Sequence, residues 1–297
     1  MLQDQHGRNW YPRSGYQMID KFIQILCNAA QPVVVYDTET TGVTKYSYVV
    51  QFAGLKCLPV NGQYYISDTM NQLIKPPIPM PKGASDVNHI TDDMLKDAPT
   101  EEFVVDQIAA FFNNSVISGY NQDHFDNNMI DHMYQRTMGV NFEPAVSIDA
   151  LVIARSLVDR HDLADGRFTL GSVSQLYGIH TDENEILHDA LADTKVTMKL
   201  LWALARDYAG STLPQDYLSM SEKPIITISA MSRVTYSKEN DYVVIDVASN
   251  GHTGQFRYEV YEKRFVEISG DVMSTGNMEQ FIKDADAFAG GDISKWK

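Results

Sequence analysis

The stretch VVVYDTETTG, residues 33–42, decides the fold. Three β-branched residues predict a buried strand, and two carboxylates, Asp37 and Glu39, follow with one residue between them. In a strand these side chains point to the same face, roughly 7 Å apart at about 3.3 Å per residue. They repel each other unless a cation lies between them. The pattern therefore indicates either a solvated strand end or half of a metal site.

The composition is that of an ordinary globular protein of 297 residues, long enough for a core domain and a smaller one. No transmembrane run or secretory signal is visible, so we expect a cytoplasmic protein without membrane contact. The two cysteines, Cys27 and Cys57, lie in apolar contexts and are predicted to be reduced core residues. A formal net charge of −15 argues against a protein that coats nucleic acid. It does not argue against a nuclease that meets a polyanion through divalent cations.

The order of predicted elements indicates the fold class. Strand hairpins come first, with Asn61-Gly62 as a turn signal, and helices then alternate with short strands. We expect Thr100 and Asn121 to be helix N-caps and residues 75–83 to form a loop. This order predicts an α/β (α+β) protein, a mixed sheet flanked by helices. The predicted strands are residues 33–37, 47–58, 63–68 and 115–119, and the predicted helices are residues 16–29, 100–113, 125–138, 148–157, 168–177 and 190–208.

The sequence changes character near Ala209, which predicts two domains, residues 1–215 and a smaller, mostly β module of residues 222–297. Alternating aromatic residues in this tail favour a small β core over a stacking platform for single strands. An interaction or self-association module is the further alternative. The expected tail strands are residues 226–236, 242–249, 255–262 and 265–270, and the expected tail helix is residues 278–288.

Two further segments carry acidic residues that could complete a metal site with Asp37 and Glu39. In SGYNQDHFDNNM a short strand is followed by a helix whose first turn carries Asp126. In ILHDALADTKV, His188 precedes a long helix and Asp193 lies near its start. A histidine beside activated water is a natural general base. Each segment alone has a plain alternative, a solvated helix start favoured by the helix dipole.

The three segments together, Asp-x-Glu, Asn-x-x-x-Phe-Asp and His-x-x-x-x-Asp, resemble the DEDDh 3′–5′ exonucleases. These are DnaQ-like enzymes on a ribonuclease H-like fold. The resemblance covers residues 30–208 and includes DVNHITDDML and SIDALVIAR. Gln51-Phe52-Ala53, Gly119-Tyr120-Asn121 and the His188 segment are most similar to bacterial exonuclease I.

The resemblance implies a site and its cofactors. Two Mg²⁺ ions, for which Mn²⁺ would substitute, are held by four carboxylates, and His188 acts as the general base. The implied catalytic and metal-binding carboxylates are Asp37, Glu39, Asp126 and Asp193. The candidate substrate contacts are Thr38, Thr40, His89, Tyr120, Asn121 and Phe125.

The expected activity is metal-dependent 3′–5′ exonuclease hydrolysis of single-stranded DNA, which releases nucleoside 5′-monophosphates and would serve DNA repair. An exoribonuclease with the same chemistry is the first alternative, since the motifs do not read the 2′-hydroxyl. The second is a non-catalytic nucleic-acid-binding protein on a nuclease fold. Proofreading as a polymerase subunit is a lesser variant. The expected partners are a single strand, DNA in preference to RNA, and a protein or second copy bound through the C-terminal domain.

Overall fold

A computed structural model describes residues 12–28, 31–60, 63–180, 190–210, 220–221, 233–239, 242–249, 252–259 and 264–270. Its helices are α1 (Pro12–Asn28), α2 (Lys82–Asn88), α3 (Asp92–Leu95), α4 (Glu101–Phe112), α5 (Asp126–Thr137), α6 (Ala150–Leu157), α7 (Leu170–Leu176) and α8 (Ala190–Ala209). Its strands are β1 (Val33–Thr40), β2 (Val49–Val60), β3 (Gln63–Leu73), β4 (Val116–Gly119), β5 (Ser147–Asp149), β6 (Met220–Ser221), β7 (Arg233–Glu239), β8 (Tyr242–Ser249), β9 (His252–Glu259) and β10 (Arg264–Gly270).

The main sheet has the strand order β5-β4-β1-β2-β3-β6. Strand β1 runs parallel to β4, with Val35 opposite Ser118, and β4 runs parallel to β5. Central strand β1 is apolar at its start because both faces are covered, and residues 33–36 are buried. The predicted mixed sheet flanked by helices is confirmed.

The core forms where α4 and α5 pack on the sheet. Tyr36 and Phe52 of the sheet meet Phe111 and Phe112 of α4 in a buried aromatic cluster. Aromatic pairs at these ring separations of 5.0–6.1 Å add to the gain from burial. The cluster anchors the first half of β1 and so holds rigid the strand that carries the Asp-x-Glu motif.

Four local predictions need correction. Strand β1 does not end at Asp37 but continues through Thr40. Residues 147–149 are a strand, because parallel pairing to β4 overrides their helical periodicity. Lys82, predicted as loop, begins α2. Asn121 is not an N-cap, since α5 starts five residues later with Phe125 in that position.

The chain divides into two compact units, residues 1–56 with 69–219, and residues 57–68 with 220–297. In the second unit, β7 to β10 form an antiparallel sheet of order β10-β9-β8-β7. These four strands overlap the strands expected of the tail. The expected helix at residues 278–288 lies outside the described residues. The boundaries 1–215 and 222–297, and the role of the tail, stay predictions.

Both cysteines are free thiols, and Cys57 is buried as predicted whereas Cys27 is only partly buried. Burial raises the pKa of the Cys57 thiol to about 12, so it is an inert core group. None of the described helices combines the length and the hydropathy needed to cross a bilayer.

Candidate active site

Asp37 and Glu39 lie side by side on one face of β1 and are both partly buried. Burial raises the pKa of Asp37 well above its ordinary value, and the charges of Asp126, Glu39 and Asp193 raise it further. Each of these three carboxylates is therefore close enough to repel Asp37. Asp37 is thus under the electrostatic influence of acidic residues from all three sequence segments.

The position of Asp126 follows from the unequal lengths of two strands. Strand β4 ends at Gly119 whereas β1 continues to Thr40, so the end of β1 has no β4 partner. In its place, the Thr38 backbone N–H donates to Asp126 Oδ1 at 3.0 Å, and the Thr38 hydroxyl donates to the same oxygen. Burial raises the pKa of Asp126 to about 7, although the two Thr38 donors lower it. Asp126 is thus held in place against β1.

The loop between β4 and α5 is held by Asp149, which sequence reasoning did not propose. Asp149 is fully buried and accepts hydrogen bonds from the N–H groups of Asn121 (3.0 Å), Asp123 (3.2 Å) and Leu151 (2.8 Å). One carboxylate therefore caps α6 and fixes the loop that leads to Asp126. The available signal was its place as an N-cap directly before the apolar run of SIDALVIAR.

A second set of hydrogen bonds also holds the loop between β4 and α5 in place. The Tyr36 hydroxyl donates to Asn127 Oδ1 (2.6 Å), Asn127 Nδ2 donates to Asp123 Oδ1 (3.0 Å), and the Ser147 hydroxyl donates to the same Asp123 oxygen (2.6 Å). These four side chains join β1, β5, the loop and the first turn of α5. A connected polar network of this kind restricts the positions open to Asp126.

Asp193 lies in the first turn of the described part of α8, as the sequence predicted. Its neighbours Ala192 and Thr194 are buried, and the Thr194 hydroxyl donates to the Ala190 carbonyl at 2.6 Å. Small residues at these positions let α8 approach β1 closely. His188 lies outside the described residues, so its place as general base stays a prediction.

Of the candidate substrate contacts, Thr38, Thr40 and His89 gather around the end of β1. The Thr38 hydroxyl donates to Asp126 Oδ1, and the Thr40 hydroxyl donates to the Gly42 carbonyl at 2.7 Å. Asn88 Nδ2 donates to the Thr40 carbonyl at 3.2 Å, which places the exposed His89 beside the first motif. Asn88 was not proposed from the sequence, and no local pattern marks it.

Tyr120, Asn121 and Phe125 lie in the loop between β4 and α5. The Tyr120 hydroxyl donates to the Phe168 carbonyl at 2.9 Å, and Phe125 packs partly buried against the core. Asn121 adopts a left-handed backbone with φ of 65°, which asparagine tolerates better than most residues. The side chains of Tyr120 and Phe125 thus have structural contacts, and the roles of all three residues toward substrate stay predictions.

The donor set fits hard divalent cations. Carboxylate oxygens are the ligands that Mg²⁺ and Mn²⁺ prefer, and repulsion among the four acids is what a bound cation would relieve. Within the described ranges, no three acidic, histidine or cysteine side chains are already arranged to hold an ion.

The sequence of residues 34–201, more than half of the chain, matches the family model RNase_T, described as Exonuclease. The chain belongs to the RNase_T exonuclease family. The predicted DEDDh, DnaQ-like membership is thereby confirmed, and the family is one of nucleases, which are hydrolases. Members of this family depend on divalent metals.

Relatives and solved structures agree on the same region. DNA polymerase III PolC-type from Staphylococcus aureus (strain bovine RF122 / ET3-1) and from Staphylococcus epidermidis (strain ATCC 12228 / FDA PCI 1200) are each 29% identical over 167 residues. That match covers 55% of this chain but only 11% and 10% of those proteins. A zinc-bound complex of Escherichia coli ExoI with single-stranded DNA superposes with a TM-score of 0.50 at 20% identity, over 60% of this chain and 41% of that one. At this identity, the likeness to ExoI supports the fold alone.

Proposed function

We propose that the protein is a metal-dependent 3′–5′ exonuclease that degrades single-stranded DNA and releases nucleoside 5′-monophosphates. The observation that carries this proposal is the convergence of Asp126 and Asp193 on the Asp-x-Glu pair of β1. Carboxylates that repel one another lie at buried or partly buried positions of three separate elements, β1, α5 and α8. Carboxylates that repel one another at such positions destabilise the fold. A reaction that depends on bound cations explains why the chain carries them there.

Asp37, Glu39, Asp126 and Asp193 would hold two divalent ions, with Mg²⁺ the expected metal and Mn²⁺ able to replace it. When bound, such ions neutralise the carboxylates, lower the pKa of a water molecule and stabilise charge that builds on the transferred phosphate. Thr38 keeps Asp126 oriented through two donors to one oxygen.

His188 accepts the proton of the attacking water, whose oxygen forms the new bond to the terminal phosphorus. The bond between this phosphorus and the 3′-oxygen of the preceding nucleotide breaks. The terminal nucleotide leaves as a 5′-monophosphate, and the shortened strand keeps a 3′-hydroxyl. Thr40, His89 and the loop of Tyr120, Asn121 and Phe125 are the proposed contacts to that terminal nucleotide.

DNA is favoured over RNA as the substrate because the relatives found in Staphylococcus carry the name of a DNA polymerase. The same chemistry on RNA remains the second candidate, since phosphate and metal geometry do not discriminate the 2′-hydroxyl. A non-catalytic binding role is disfavoured because all five motif residues are present in the chain.

The direct test is hydrolysis of 5′-labelled and 3′-labelled single-stranded DNA, duplex DNA and RNA in Mg²⁺, Mn²⁺ or EDTA. We expect a ladder that shortens from the 3′ end of single-stranded DNA, 5′-monophosphate products, and no cleavage in EDTA. Stable substrate in Mg²⁺ and Mn²⁺ would contradict the proposal. Faster loss of RNA than of DNA would instead select the exoribonuclease.

For the tail we propose contact with a protein partner or a second copy. Its four-stranded sheet has two edges, β10 and β7, in the described residues, and unpaired edges are common sites of association. Sedimentation of the full chain and of a chain ending at Ser221 would test this. The same number of subunits and the same partner binding in both chains would contradict the role.

A further inference from the structure

A groove of about 290 Å³ lies between the loop that follows β1 and the outer face of α5. We call it the loop–helix groove. All of its lining residues belong to the same compact unit as the four carboxylates. They are Lys45, Tyr46, Tyr48, His132, Gln135 and Arg136.

The groove combines cations with aromatic rings. Lys45 Nζ lies 5.1 Å from the centroid of the Tyr46 ring, and Arg136 Cζ lies 4.5 Å from that of Tyr48. Tyr46 is 75% exposed, so most of its ring is open to solvent and to a ligand in the groove. Buried Glu101 pairs with Arg136 at 2.7 and 3.0 Å, which fixes its guanidinium and balances its charge. The exposed Lys45 therefore supplies the net positive charge, in a chain whose formal charge is −15.

The groove lies close to the carboxylates along both of its walls. The loop begins directly after β1, and Thr41 ties it to Tyr48 through N–H to carbonyl and N–H to hydroxyl bonds, both 2.9 Å. Along α5, His132 and Arg136 follow Asp126 by six and ten residues, or about 9 to 15 Å at 1.5 Å per residue. A stacked strand advances about 3.4 Å per nucleotide, so this is a distance of roughly three to four nucleotides.

We propose that the loop–helix groove binds the single strand a few nucleotides upstream of the bond that is cleaved. A base stacks on the open face of Tyr46, and Lys45 meets the adjoining phosphate. Stacking on tyrosine is sequence-tolerant, which suits an enzyme that moves along any sequence. This inference rests on the proposed function and adds to it residues that lie outside the three motifs.

The test compares a long and a short substrate in Tyr46→Ala and Lys45→Ala. Phe103→Ala and Lys21→Ala are the matched controls, since Phe103 is also 75% exposed and Lys21 is an exposed lysine of α1. Binding of a fluorescent thymidine octamer is measured in EDTA, which needs no catalysis. Hydrolysis of the p-nitrophenyl ester of thymidine 5′-monophosphate is measured in Mg²⁺, because this small ester cannot reach the groove.

We expect Tyr46→Ala to raise the Kd for the octamer roughly tenfold, the scale of one lost base stack. Lys45→Ala should lower the slope of log Kd against log salt by about 0.7, the value for one phosphate contact on a single strand. Neither variant should change kcat or KM for the ester. Both controls should match the wild-type protein in all three measurements.

Two results would overturn the inference. The first is octamer affinity and salt slope equal to wild type in both variants. The second is an equal loss on the octamer and on the ester, which would show that the substitutions disturb the carboxylates. Failure of the proposed function has a different signature, namely no hydrolysis of either substrate by the wild-type protein while octamer binding in EDTA is still measurable.

Discussion

Thr38 donates both its backbone N–H and its hydroxyl to one oxygen of Asp126, from a position 88 residues earlier in the chain. This pair links the first and second carboxylate segments directly. Thr38 is only 4% exposed, so little of its side chain is accessible to a substrate. Its hydroxyl is used to orient the carboxylate of Asp126. Thr38, which the sequence predicts as a substrate contact, therefore orients Asp126, a ligand of the proposed metal site.

Replacing Thr38 by valine tests this link, since valine keeps the backbone donor and the β-branched shape but lacks the hydroxyl. We expect metal affinity or turnover to fall roughly 10- to 100-fold, the usual effect of losing a group that orients a metal ligand. Titration of activity against Mg²⁺ measures it. Thr38→Ser, which restores the hydroxyl, should recover most of the loss, and equal loss in both variants would speak against the hydrogen bond.

Removing one charge from the carboxylate set should separate activity from stability. Asp193→Asn is expected to abolish Mg²⁺-dependent hydrolysis and to raise the Tm of the metal-free protein by about 1 to 4 °C, because a repelling charge is gone. Calorimetry in EDTA and the nuclease assay measure the two effects. Asp93→Asn, whose side chain is 85% exposed in a surface ion pair with Lys96, is the control and should change neither.

The general-base role predicted for His188 has a kinetic signature. His188→Ala should reduce kcat by about 10²-fold or more, with Mg²⁺ dependence largely kept, and should remove the acidic limb of the pH–rate profile. His161→Ala, which changes an exposed histidine in the short 3-10 helix Arg160–Asp162, is the control. Unchanged kcat would remove His188 from the mechanism.

The raised pKa of Asp126 predicts how the stability of the metal-free protein depends on pH. Asp126 has a pKa of about 7 in the fold against 3.8 ordinarily, so between these values the folded state binds more protons than the unfolded state. The free energy of unfolding should therefore fall as pH rises from about 4 to about 7. Thermal melts in EDTA measure this, and the fall should be smaller in Asp126→Asn. Identical pH dependence in the two proteins would contradict the prediction.

The sequence alone predicted the residues whose signal is local. The run Val33 to Val35 marks a buried strand, Asp37 and Glu39 share a face by strand periodicity, and Asp193 falls at the start of an apolar helix. These features depend on neighbours within a few residues. They were sufficient for the fold class, whereas the metal-binding role of the four carboxylates stays a prediction.

The supporting residues could not be predicted because their partners are distant in sequence. Asn88 meets Thr40 across 48 residues, and Asp149 meets Asn121 across 28. The first contact joins the end of α2 to β1, the second joins β5 to the loop after β4, and a local hydrophobic pattern encodes neither. Residues 148 and 149 were predicted as the start of a helix for the same reason, since Ile148 pairs with Ser118, 30 residues earlier.

The alternation of β1 sets a limit on how this protein can vary. Asp37 and Glu39 lie on one face of the strand, whereas Tyr36 and Thr38 bind α5 with their hydroxyls. Inserting a single residue between Val35 and Tyr36 would exchange the two faces, placing the carboxylates against the aromatic core and the tyrosine where the acids had been. The strand can tolerate single substitutions, but a change in its length disrupts the site and the core together. Natural variants should therefore differ in the loops around β1 and keep the length of β1 constant.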